Sequence, residues 1–384
     1  MSDSTKTHLL QGGLFIVTLI TTTMAGAEWM FGGTFLPIEG QRRLGWAEFQ
    51  AGFQFSIPFL TILTVHEFGH YIVARMNKVR VTLPYYIPFW IGIVQTIGTL
   101  GAFIRIKEYI DSRRQYFDIG IAGPLAGFVV ALGVLWYGFT HLPPPEFIFT
   151  IHPEYQKWGL DYGKYAYQNL PPNVAVLKLG DSLLFGFFKE YIADPSRLPN
   201  PFEIIHYPFL MAGYMGLFFT SLNLIPIGQL DGGHILYALI GRKRFQWVAP
   251  TLFILFVFYA GLGLFKPEDF AVPTDQAFFK MLGEFALYIG FVVLACSRIS
   301  ESRMTSLLVA LSIIVVQLVL TWIWPMLEGY AGFVAFAFIL GRVLGVYHPE
   351  TSLQEPLDTK RQLLGWLALV IFVLSFSPQP FQSI

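Results

Sequence analysis

TVHEFGH, residues 64–70, closes the run FQFSIPFLTIL (53–63), which is apolar enough to enter a bilayer. Ionisable side chains inside a membrane helix are expensive, and their default explanation is functional. Positions i and i+4 of a helix share one face, so His66 and His70 point the same way. In H-E-x-x-H the two neutral imidazoles can hold one Zn²⁺, with Glu67 leaning toward the coordinated water. A catalytic zinc takes three protein ligands and a water, and lowers the pKa of that water to near neutrality. Glu67 can then take the proton as the water attacks a carbonyl. Such a pattern also arises by chance around structural histidines. Its place in an apolar helix is what favours chemistry.

The chain has 384 residues, 54% of them hydrophobic and 13% charged. A soluble domain carries roughly 25% charged residues, so the class is a polytopic membrane protein. The formal net charge is zero, which gives no indication of a nucleic-acid partner. Cys296 is the only cysteine, which excludes an internal disulfide and any cysteine-based metal cluster.

About 20 apolar residues are needed to cross the hydrocarbon core. By that measure helices are expected near 12–33, 51–76, 115–140, 206–226, 247–265, 278–297, 304–325, 330–347 and 361–378. Ala25-Gly26-Ala27 could pass for a signal-peptidase site, but the apolar character continues through Trp29 and Phe31. The first segment is therefore read as an uncleaved transmembrane helix. Basic residues fix the orientation. Arg75, Lys78, Arg80, Arg105, Lys107, Arg113 and Arg114 lie between the second and third helices, and Arg242, Lys243 and Arg244 before the fifth. Arg298 and Arg303 follow the sixth helix, and Arg342, Lys360 and Arg361 follow the eighth. Short basic connections stay in the cytoplasm. All four agree with a path that starts inside and leaves 141–205 outside.

TLPYYIPFWIGIVQTIGTLGAFI (82–104) is apolar but interrupted by Pro84, Pro88, Gly92, Gly98 and Gly101. A full crossing there would break the alternation, so a re-entrant hairpin is expected, with strand-like arms such as IVQTIGTLGAFI. Non-helical backbone at membrane depth is tolerated only against protein or a wet cavity.

The candidate third ligand lies in SLNLIPIGQLDGGHIL (221–236). Pro226 and Gly228 break the helix, which can turn the Asp231 carboxylate toward the second helix. Alternatively, Asp231 caps the helix HILYALIG. Asn223 could donate to a substrate carbonyl or a developing oxyanion, or satisfy backbone freed by Pro226. His234 is a spare ligand or, more in keeping with its spacing, a capping or supporting residue. His8, His141, His152, His206 and His348 read as solvated. FDIGIAGPLAG (117–127) opens the third helix, and its Gly120, Gly123, Gly127 and Ala131 form a small-residue face for close helix packing, with Pro124 alongside.

With HEFGH in one membrane helix, NLIPIGQLDGG in a later one and FDIGIAGPLAG between, the chain resembles the site-2 protease family of intramembrane zinc proteases over about 51–240. The resemblance implies a three-helix metalloprotease core. It implies His66, His70 and Asp231 as ligands of one Zn²⁺ and Glu67 as catalytic base; Asn223 stays a candidate on its own spacing. It also implies a membrane hairpin that presents substrate in extended form, for which Thr96 and Gly98 are the candidate residues. Many bacterial members carry a PDZ domain in the external connection. The segment 141–205 has no matching series of strands, so a member without one is expected.

The expected fold is thus an all-α polytopic membrane protein of about nine transmembrane helices with a re-entrant hairpin. Its divisions are 1–50 (first helix and external loop), 51–240 (catalytic core) and 241–384 (C-terminal block). The expected activity is hydrolysis of transmembrane protein substrates near the cytoplasmic face. The expected setting is a lipid bilayer, a bacterial cell membrane with a chloroplast membrane as alternative. The rival reading is a zinc or cation transporter using the same His and Asp residues. An inactive scaffold is a third. Glu67 between the histidines counts against both.

Overall fold

The computed structural model describes residues 3–168, 176–271 and 274–383. Residues 169–175 of the expected external connection lie outside the described residues. In chain order the helices are α1 (Asp3–Phe31), α2 (Trp46–Met76), α3 (Arg113–Thr140), α4 (Ile148–Ile151), α5 (Leu183–Tyr191) and α6 (Pro208–Asn223). They continue with α7 (Asp231–Ile240), α8 (Arg242–Gly261), α9 (Asp275–Cys296), α10 (Arg303–Ile323), α11 (Phe333–Phe338) and α12 (Thr359–Ser375). The strands are β1 (Tyr85–Phe89), β2 (Gly98–Phe103), β3 (Leu177–Leu179) and β4 (Phe381–Ser383).

The protein is mostly helical and polytopic, and helix occupies each of the nine stretches expected from the sequence. Six of them, formed by α1, α2, α3, α8, α9 and α10, are long and apolar enough to cross a membrane. The other three are shorter than the roughly 20 residues of a full span. The α6 helix has 16 residues and α12 has 17, while α11 continues as a π-helix to Leu344.

The chain forms two compact units. The first comprises Met1–Ile110, Ile121–Leu222 and Val370–Ile384, the second Asp111–Gly120 and Asn223–Leu369. In the first unit α1 and α2 meet through small residues. A β-carbon at Gly26 would lie 2.7 Å from Phe55, and one at Gly52 would overlap the Thr23 carbonyl. The buried hydroxyls of Thr23 and Ser56 share a hydrogen bond of 2.8 Å. Lipid is as apolar as leucine, so close packing and interhelical hydrogen bonds of this kind do the joining. Phe55, Phe59, Leu135, Phe139, Phe185 and Met211 belong to the unit's core.

The expected hairpin is present. β1 and β2 pair antiparallel, Tyr85 opposite Phe103 and Phe89 opposite Gly98, with a register shift between Tyr86 and Pro88. Pro88 brings no N–H to the ladder, and the Thr99 hydroxyl donates to the Ile87 carbonyl at 2.7 Å. Protein groups satisfy backbone around the turn. Thr21 donates to the Gly98 carbonyl and the Trp29 indole to the Thr96 carbonyl, each at 2.7 Å. Thr96 itself corrects an expectation, because it lies in the turn before β2 and not on a strand arm. Its hydroxyl donates to the Phe89 carbonyl at 3.2 Å and accepts from the Gly98 N–H at 3.3 Å. It closes the hairpin.

β3 pairs antiparallel with β4, Leu177 opposite Ser383 and Leu179 opposite Phe381. The Tyr214 hydroxyl lies 2.8 Å from the Gly180 carbonyl and 2.7 Å from that of Pro380. Two strands can pair only on one side of a bilayer, so an even number of crossings separates residues 179 and 381. The six stretches expected between them give an even number when α6, α11 and α12, each shorter than a full span, cross as well. With Cys296 replaced, a cysteine at Gln115 is expected to react only with a reagent on the cytoplasmic side, and one at Lys157 only from outside. Reaction of both from the same side would overturn the charge argument.

In the second unit Arg361 holds Asp118 through two hydrogen bonds of 2.7 and 2.8 Å. The α6 helix ends at Asn223, and α7 begins at Asp231 after an irregular stretch containing Pro226 and Gly228. Gly228 has φ +60°, a conformation that favours glycine.

Candidate metal centre

Within the first unit α2 is continuous through the H-E-x-x-H pentad, so the i, i+4 spacing sets the two imidazoles together. His66 and His70 are buried, and their Nε2 atoms lie 3.0 Å apart. Their rings meet edge to face, with centroids 4.8 Å apart. Zinc–nitrogen bonds of about 2.0–2.1 Å in a tetrahedral array put two ligand nitrogens about 3.3 Å apart. The pair fits one such ion. Glu67, 6% exposed, is buried beside them.

The small-residue face of α3 is seated on this helix, as its spacing suggested. A β-carbon at Gly69 would lie 2.6 Å from the Ala122 carbonyl, and one at Gly127 would lie 3.0 Å from the His66 β-carbon. One at Gly123 would overlap the His70 Nε2 atom itself. The consequence is graded. Gly123→Ala should displace His70 and lower the affinity of the pair for a metal ion at least about tenfold, the lower end of the 10–100-fold cost of disturbing a ligand's surroundings. Gly127→Ala should be milder. Metal analysis on both variants checks the order, and equal effects would show that Gly123 has no special relation to His70.

In the second unit Asp231 is the first residue of α7. The cap position belongs to Leu230 and no side chain caps there, so Asp231 is not the N-cap that the alternative reading made it. Gly232 and Gly233 let the preceding loop fold back. A β-carbon at Gly232 would overlap the Leu224 carbonyl, and one at Gly233 would lie 2.7 Å from the Ile227 carbonyl. Asn223 is half-buried at the end of α6. His234 is engaged through Nδ1 with His348 Nε2 at 2.8 Å and stacks on Tyr116, which fits a supporting role better than a spare ligand.

A model of peptidase family M50 matches residues 54–264, more than half of the chain. The chain belongs to this family. The M50 region contains His66, Glu67, His70, Asn223 and Asp231. Among curated proteins, the probable zinc metalloprotease EGY2, chloroplastic, of Arabidopsis thaliana is 28% identical over 60% of this chain and 39% of its own length. The probable zinc metalloprotease EGY1, chloroplastic, of the same plant is 27% identical over 71% and 43%. The EGY2 protein of Oryza sativa subsp. japonica is 26% identical over 69% and 41%. The chain thus spans about two-fifths of the length of these relatives. No solved structure matches.

The M50 chain also corrects the reading of three histidines as solvated. His348 is buried, stacked on Tyr237 with ring centroids 3.9 Å apart. His206 is buried against Glu203, and His152 lies beside both. Burial would raise the Glu203 carboxyl, but hydrogen bonding and charge from His206, with help from Tyr167 and His152, hold it below the ordinary value. Glu203-x-x-His206 was visible as an i, i+3 pair. Its partner His152, 54 residues away, gave no local signal.

Proposed function

We propose that this M50 chain is an intramembrane zinc metalloprotease that hydrolyses peptide bonds of transmembrane proteins near the cytoplasmic face. The observation that carries the reading is the buried His66–His70 pair, 3.0 Å apart, with Glu67 between them in a membrane helix. Family membership and the relatives named as zinc metalloproteases support it. His66, His70 and Asp231 would hold one zinc, two imidazoles and a carboxylate being a donor set suited to that ion. Zinc held there lowers the pKa of a coordinated water to near neutrality. Glu67 is placed to take the proton from the attacking water and pass it to the leaving amine. Asn223 would donate a hydrogen bond to the scissile carbonyl.

A substrate helix hides its carbonyls in its own hydrogen bonds, so it must unwind before attack. The hairpin offers a strand surface for extended substrate, with Gly98 at the start of β2 and Thr96 fixing the turn. In sequence the catalytic core is kept as 51–240, with 1–50 before it and 241–384 as the C-terminal block. The relatives' names carry a chloroplast location, which favours a chloroplast membrane over a bacterial cell membrane.

The transporter reading is tested in the same experiment. In vesicles carrying the purified protein, a zinc-sensitive dye and a single-span test helix, cleavage of the helix without zinc influx is expected. Influx without cleavage of any test helix would reverse the assignment.

A further inference from the structure

Away from α2 and α7, one group of side chains in the first unit brings three metal-capable atoms together. His152 Nε2, Glu203 Oε2 and His206 Nε2 form a triangle with sides of 3.2 Å between His206 and Glu203, 3.4 Å between the histidines and 3.7 Å between His152 and Glu203. Tetrahedral zinc with ligands at about 2.0–2.1 Å spaces its donors about 3.3 Å apart. His206 and Glu203 are almost fully buried, while the His152 side chain is 27% exposed.

The surrounding contacts decide which atoms face inward. A main-chain carbonyl only accepts, so His206 Nδ1 donates its hydrogen to the Met30 carbonyl at 2.8 Å. In the neutral ring its Nε2 then carries the lone pair. His152 Nδ1 lies 2.9 Å from the Glu154 carboxylate, with the same consequence. The Tyr167 hydroxyl donates to Glu203 Oε1, leaving Oε2 turned toward the two nitrogens. Ligating histidines are oriented in this way, the far nitrogen on a carbonyl or carboxylate.

With both rings neutral, three lone-pair atoms converge, and burying them together without a cation is costly. Protonated rings would instead make ion pairs with Glu203, at 3.2 Å from His206 and 3.7 Å from His152. A divalent ion satisfies all three. We propose that His152, Glu203 and His206 form a second metal site, for a zinc-type divalent ion, with its open position beside His152. The site ties together the end of α1 through Met30, the segment after α4, and the turn before α6. This assignment is independent of the catalytic reading.

The test uses the full chain with any histidine tag removed, loaded with zinc and then desalted. In a His66→Ala/His70→Ala background about one metal per chain should remain, and adding His206→Ala should remove most of it, since loss of one of three ligands costs much of the affinity. Glu203→Gln, close in shape, should do the same if His206→Ala fails to fold. Loaded with cobalt in place of zinc, the double variant should show the visible absorption of a tetrahedral site, and the triple variant should not. No bound metal in the double variant, or undiminished metal in a folded triple variant, would overturn the second site. Equal metal in the wild type and the double variant would instead count against the α2 pair.

Discussion

In Glu67→Gln, peptide hydrolysis is expected to fall by about 10²–10⁴-fold, the usual contribution of a positioned base, while metal content stays at the wild-type level. The amide has nearly the shape of the carboxylate but cannot accept the proton. Glu67 sits between the two histidines in sequence and is buried with them, 6% exposed. Metal retention is part of the expectation, because the ligand set proposed for the ion does not include Glu67. Substrate binding does not need the base either. A crosslinker on a test helix should therefore capture Glu67→Gln with its substrate intact. Hydrolysis at the wild-type rate would end the assignment of Glu67 as base. Loss of metal would make it a ligand or a support of one.

Asp231→Ala should lower zinc affinity by at least about 100-fold, beyond the 10–100-fold typical of residues that only support a ligand, and hydrolysis should fall with it. The count is cleanest in a His206→Ala background, where the second site proposed above does not contribute. Equilibrium dialysis against buffered zinc measures the affinity. The carboxylate stands in the first turn of α7, one residue past the N-cap Leu230, and Gly232-Gly233 after it let backbone approach closely. Full zinc retention in Asp231→Ala would remove it from the ligand set and turn attention to other carboxylates.

What could be read from the sequence was what local rules control. Apolar length located the helices, and the H-E-x-x-H spacing set His66 against His70 because helical periodicity alone decides it. Pro226, Gly228 and Gly232-Gly233 marked the broken stretch between α6 and α7. Gly123 and Gly127 were read as packing residues, and they are, although how tightly Gly123 covers the His70 nitrogen was not visible. The misses are long-range. Thr96 looked like part of a strand because its neighbours are apolar and β-branched, yet its hydroxyl serves the turn. His152 and His206 looked solvated because His152 lies 54 residues from its partner and gives no local signal. The pairing of β3 with β4 joins segments that composition places in unrelated parts of the chain.

That last pairing orders the birth of the protein. Leu177–Leu179 is synthesised roughly 200 residues before its partner Phe381–Ser383, an interval on the order of 10–40 s at about 5–20 residues per second. Throughout that time the strand presents an unpaired edge, the feature most open to wrong association. Tyr214 waits as well, with one of its two carbonyl neighbours, Gly180, already made and the other, Pro380, still to come. The first unit cannot be completed until the ribosome has passed through the whole of the second. A stalled or truncated nascent chain would hold an assembled His66–His70 helix but an open sheet edge at β3, a form that quality control could recognise by its free strand.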